Sequence, residues 1–212
     1  PMLPDFCERR GDAVYEYCGS GFVMPPLQMA GASSCTGSST WMYGYAADSG
    51  ALIDLMVYYT PLARDAAGGV PQIEALITQA KNIANTSLTN SGLTQQFRVV
   101  RMALINYAET GNAALDMPRL VEPADGWIDF VHAERDQYGA DLVCMVVEPF
   151  NFGGVAFQPY GSWPEDDGRY GFSIVRRDNL QFETFAHELG HNFGCQHDFA
   201  NKANDGIFPY SY

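Results

Sequence analysis

The sequence predicts a mixed α/β domain of the α+β kind, in which a twisted sheet is covered by packed helices. Two runs of strand length, Ala51–Thr60 and Asp141–Val147, are almost wholly apolar. A long stretch after Pro71 instead repeats its apolar residues at three- and four-residue steps. Segments of these two kinds alternate along the chain, the pattern of a sheet with helices on it.

Each element follows from its residues. ALIDLMVYYT, residues 51–60, reads as a buried strand that Pro61 stops. Ile73, Leu76, Ile77, Ala80, Ile83, Ala84 and Leu88 mark a helix with Pro71 in its first turn and Gly92 at its end. Val99, Val100, Met102 and Leu104 place a second strand over Phe97–Ile105. A loop is expected over Asp116–Gly126. A second helix follows over Trp127–Tyr138, with Ile128, Phe130, Val131 and Ala133 on its apolar face. DLVCMVV, residues 141–147, reads as a strand covered on both faces. Gly154–Gln158 and Tyr170–Val175 read as exposed or edge strands joined by an irregular excursion through the acidic turn Glu165–Gly168. Residues 1–49, rich in glycine, proline and small polar residues, have little periodicity and read as an irregular segment leading into a domain that spans residues 50–212.

Composition narrows the function. Apolar residues make up 47% of the 212, enough for a substantial core. Twenty-five acidic against 12 basic residues give a formal charge of −13, which repels polyanions and argues against a nucleic-acid partner. No run approaches the roughly 18 apolar residues of a membrane helix, so no membrane partner is expected. The five cysteines, Cys7, Cys18, Cys35, Cys144 and Cys195, are an odd set, so at least one has no partner within the chain.

The chemistry concentrates in FAHELGHNFGCQHD, residues 185–198. On a helix over Gln181–Phe193, His187 and His191 share a face and converge on one cation. Glu188, about 100° around the helix from His187, sits beside such a cation, where it can handle the proton of a bound water without being a ligand. Gly194 supplies a residue able to end the helix, and the turn gives His197 a route to the same ion. Three imidazoles and an open fourth position are the arrangement of a catalytic Zn2+ site. Three of the four histidines lie in the eleven residues 187–197; the fourth, His132, is read as a packing residue of the second helix. Leu189 and Phe193 are read as core. Asp198 either orients a neighbour or is an exposed turn carboxylate, and Cys195 is read as paired or buried rather than as a ligand.

HELGHNFGCQH matches the pattern HExxHxxGxxH of the metzincin zinc endopeptidases at each defining position, and the aspartate that follows resembles the adamalysin or reprolysin branch, its bacterial members included. IDLMVYYTP, YGADLVCMVV and YGFSIV extend the resemblance over residues 51–212. It implies a secreted, extracellular protease with a zincin fold and an active-site helix. His187, His191 and His197 would hold zinc, Glu188 would be the general base, and the strand Gly154–Gln158 would pair with an extended protein or peptide substrate. Metzincins also carry a methionine-containing turn after the third histidine. All eight methionines here precede the motif, so the lower subdomain is expected to be missing or supplied by a C-terminal polypeptide partner. Residues 1–49 would be a prodomain remnant, and Cys7, Cys18 and Cys35 are candidates to block the open zinc position, against the alternative that they form disulfides or pack. The competing expectation is a latent zinc-binding module, its cleft blocked or incomplete.

Overall fold

The computed structural model describes residues 13–17, 52–148, 151–159 and 170–197. Six strands form one mixed sheet: β1 (Ala13–Tyr17), β2 (Leu52–Tyr59), β3 (Gln96–Leu104), β4 (Leu142–Val147), β5 (Gly154–Pro159) and β6 (Phe172–Arg176), in the order β1-β5-β6-β4-β2-β3. The four strands β6, β4, β2 and β3 run parallel, and β5 is antiparallel to both β6 and β1. Parallel neighbours need long crossovers. These are provided by α1 (Pro61–Ala67) with α2 (Val70–Asn90) between β2 and β3, and by α3 (Ala113–Val121) with α4 (Phe130–Tyr138) between β3 and β4.

Strand alternation divides the core between two faces. Leu55, Val57, Tyr59, Cys144, Val146 and Val175 point to one side and pack with Ile73 and Ile77 of α2 and with the helix that carries the histidines. Met56, Tyr58, Val143, Met145, Val147 and Ile174 point to the other and meet Met117, Leu120 and Val131 of α3 and α4. All six residues of β4 are buried, as its unbroken apolar run requires. Each fully buried Ile or Leu contributes about 1.5–3 kcal/mol.

The structure departs from the expectations at several places. Pro61 ends β2 but also begins α1, where Thr60 caps the helix by accepting from the Ala63 N–H at 3.2 Å. The expected loop over Asp116–Gly126 is in its first half α3, capped by Asn112 and held by burial of Met117, Leu120 and Val121 despite the backbone bond that Pro118 forfeits. Asp116 lies fully buried there, accepting from the Tyr107 hydroxyl at 2.6 Å and from the Thr110 N–H at 3.0 Å. Val131 of α4 and Ile128 just before it are buried as expected, whereas Phe130 and Ala133 are exposed, Phe130 meeting Tyr58 edge-on.

Strand β6 is interior rather than an edge, with Phe172–Val175 buried between β5 and β4. Strand β5 is likewise paired on both sides, its outer edge taken by β1, so part of the segment read as irregular is a strand. Cys7, Cys18, Cys35, Asp198 and the turn Glu165–Gly168 lie outside the described residues. Among the described residues no helix is long and apolar enough to cross a membrane.

Candidate metal centre

The predicted metal-ligand helix is α5 (Thr184–Asn192), entered from β6 through a short 3-10 turn at Arg177–Asn179. Nine residues do not make a stable helix alone, so α5 depends on its packing. Phe185 and Leu189 are fully buried against the sheet. Phe193, expected in the core, is 42% exposed and leans on Phe97 instead. His132 packs as expected, with its ring 5.2 Å from that of Phe172 and its pKa lowered by burial.

The end of α5 returns the chain on itself. Gly194 adopts φ +86°, the left-handed conformation that a side chain disfavours. The Gly194 N–H donates to the His191 carbonyl at 2.8 Å and the Cys195 N–H to the Gly190 carbonyl at 3.0 Å, the paired bonds of a Schellman cap. His197 is thereby brought to the two helical histidines.

All three predicted ligands converge. His191 Nε2 lies 2.9 Å from His187 Nε2 and 3.2 Å from His197 Nε2. A tetrahedral zinc with bonds of about 2.0–2.1 Å spaces its ligand atoms about 3.3 Å apart, so this cluster has the size of one coordination sphere. His191 Nδ1 is 2.7 Å from the Cys195 carbonyl, which can only accept. The proton therefore sits on Nδ1 and leaves the Nε2 lone pair facing the cluster.

Burial pulls the pKa of His187 down to about 4, helped by His197, and that of His191 down to about 3, helped by His187. Neutral imidazoles with lone pairs facing one another repel unless a cation lies between them. The donor set thus fits a metal ion, and it is the one such cluster of histidine, cysteine or acidic side chains among the described residues.

Glu188, the predicted base, is fully buried at the start of β5. A Cβ on Gly154 would fall 2.4 Å from its Oε1 and 2.7 Å from its Cδ and Cγ, so only glycine leaves room for this carboxylate. Gly154, Ala156 and Gln158 are alternate residues of β5, and Gly154 and Gln158 contact the α5 segment. Asn192 clamps the far end of the helix. Its Nδ2 donates to the carbonyls of Phe157, Phe172 and Tyr170 at 2.8, 3.0 and 3.2 Å, just past Ala156–Ser173, the last register pair of β5 and β6.

Asn192 escaped the sequence reading, which named Gly154 and Gln158 only as the ends of a substrate-pairing strand. The signal for those two was the alternation of small, small and large polar residues within one short strand. Cys195, weighed there for its thiol, contributes its backbone carbonyl, and its sulfur is free.

Residues 50–211 match the family model Reprolysin_5, described as metallo-peptidase family M12. The chain belongs to metallo-peptidase family M12. Among curated family relatives it is 30% identical over 165 residues to the peptidyl-Asp metalloendopeptidase of Xanthomonas campestris pv. campestris, covering 77% of this chain and 38% of that protein. It is 29% identical over 174 residues to the enzyme of the same name from Pseudomonas aeruginosa, covering 76% and 28%. The chain thus spans well under half the length of these M12 relatives. A solved structure titled "Structure of a chaperone-substrate complex" shares the fold, with a TM-score of 0.54 and 21% identity over 70% of this chain and 27% of that one.

Proposed function

We propose that this M12 chain carries the active centre of a zinc-dependent endopeptidase that hydrolyses internal peptide bonds of proteins in an extracellular setting. The observation that carries the proposal is the meeting of three imidazoles within one coordination sphere, with the Glu188 carboxylate on the helix that bears two of them.

His187, His191 and His197 would hold the zinc, and no other donor among the described residues joins them, which leaves a position open. Bound there, zinc supplies Lewis acidity, making a water acidic and a substrate carbonyl electrophilic. Glu188 would serve as the base, its carboxylate accepting a proton from the attacking water and returning it to the leaving amine. The Cys195 carbonyl keeps His191 in the tautomer that presents Nε2, and Gly154 gives Glu188 its place.

A second reading, latency, is favoured by one observation: Ala13–Tyr17 pairs antiparallel along the outer edge of β5 from Pro159 to Val155. A strand edge offers backbone donors and acceptors to any extended peptide, and here the chain's own N-terminal strand uses them. In that reading residues 1–49 act as a prodomain.

One experiment covers both readings. Hydrolysis of an unfolded protein containing aspartate, chosen for the relatives' name, is measured with and without residues 1–49, alongside bound zinc. Glu188→Gln is expected to keep its zinc and lose about 10²–10⁴-fold in rate, and a chelator to abolish the parent's activity. Removal of residues 1–49 raises the rate if the strand is inhibitory. A Glu188→Gln protein as fast as the parent would remove the glutamate from the chemistry.

A further inference from the structure

The Cys195 carbonyl is the pivot of the metal centre, because it accepts from two donors that belong to different parts of the fold. One is His191 Nδ1, at 2.7 Å; the other is Nε2 of Gln158, at 2.6 Å, reaching across from β5. Gln158 is itself fixed: its Oε1 accepts from Gln196 Nε2 at 2.6 Å, and both glutamines are only 1% exposed. A buried primary amide tied at both ends has one orientation. This one grips two consecutive residues, Cys195 and Gln196, of the five that separate the second histidine from the third.

We propose that Gln158 is a positioning residue of the metal centre. Buried as it is, it would act through other residues. Through the Cys195 carbonyl it fixes the tautomer and ring plane of His191, and through Gln196 it holds the turn that returns His197. The inference rests on the reading that the three histidines bind zinc. It gives β5 a second task beside seating Glu188 against Gly154: one strand holds both the base and the ligand turn in register.

The chemistry sets the size of the effect. Groups that orient metal-ligating histidines are commonly worth about 10–100-fold in metal affinity. Replacing a glutamine that served only to fill the core would lower the stability of the folded chain without weakening its hold on zinc.

The test uses the full chain and zinc itself. Zinc affinity is measured by competition with a chromogenic chelator, and the unfolding of the zinc-free protein is followed in urea. Gln158→Met keeps the length of the side chain and removes both hydrogen bonds. It is expected to bind zinc about 10–100-fold more weakly, and the loss in Gln158→Met with Gln196→Met is expected to fall short of the product of the two single losses, because both act through one network.

Parent-like zinc affinity in Gln158→Met, whatever its stability, overturns the proposal. Should Gln158→Met not fold, Gln196→Met is read in the same assay, and parent-like affinity there overturns it equally. His191→Ala and His197→Ala separate the two levels of the argument. If they keep the parent's zinc affinity, the metal site itself is wrong; if they lose it while Gln158→Met does not, only the role of Gln158 fails.

Discussion

Asn192 offers the sharpest test of how the helix is held. Its amide nitrogen carries two hydrogens and faces three carbonyl oxygens at 2.8–3.2 Å where β5 and β6 part. Replacing it by aspartate changes almost no volume but puts an oxygen where a donor was, so a carboxylate confronts the negative ends of three backbone dipoles. Two hydrogen bonds of about 1 kcal/mol each are lost, and the repelled, partly buried charge adds to this, for a total of about 3–5 kcal/mol. In a chain of this size each kcal/mol moves the melting temperature by about 2–4 °C, so Asn192→Asp should melt about 6–20 °C lower. Asn192→Ala, which removes the donor without adding repulsion, should fall between parent and Asp. Thermal and urea unfolding of the zinc-free protein near neutral pH measure both. An Asp variant within about 1 kcal/mol of the parent, or an Ala variant less stable than the Asp one, would refute the argument that donation to those carbonyls secures α5.

Two other outcomes follow from features described above. Gly154→Ala places a methyl group against the Glu188 carboxylate, and displacement of a reacting group by about 1 Å can cost about 100-fold in rate; kcat/KM should fall by that order while zinc content is unchanged, and an unaltered rate would mean that the carboxylate has room to spare. The pKa of His132 is lowered mainly by burial, so the folded state favours the neutral ring. Its contribution to stability is complete above the ordinary value of about 6.5 and is lost as pH falls towards the lowered one. His132→Phe should therefore lose less stability between neutral and acid pH than the parent in matched urea titrations, and superimposable pH profiles would contradict this.

The elements most legible in the sequence were those whose residues answer to one physical demand. The run LVCMVV could only be a strand covered on both faces, and the three- and four-residue steps from Ile73 onwards could only be one face of a helix. The histidine cluster was legible for a similar reason, since a helix repeat and a glycine turn suffice to bring three rings together. Where two demands conflict, the sequence misled. Pro61 stops a strand and starts a helix with equal ease, and Pro118 hid α3, whose stability comes from Met117, Leu120 and Val121 docking on the sheet. The supports of the site were invisible because they exist only across the fold. Nothing in the chain's order says that Asn192 meets Phe157, or that Gln158 meets Cys195, until β5 lies along α5.

Among the described residues the converging donors are all nitrogens, and the thiol nearest in sequence, Cys195, is not among them. Thiolate-held zinc is vulnerable to peroxides and disulfide exchange, because oxidising the sulfur removes the ligand. Imidazoles offer such reagents nothing comparable to attack. A centre assembled from imidazoles alone would keep its grip under conditions that strip a sulfur-bound ion, and its durability would be set by acidity instead of by redox poise.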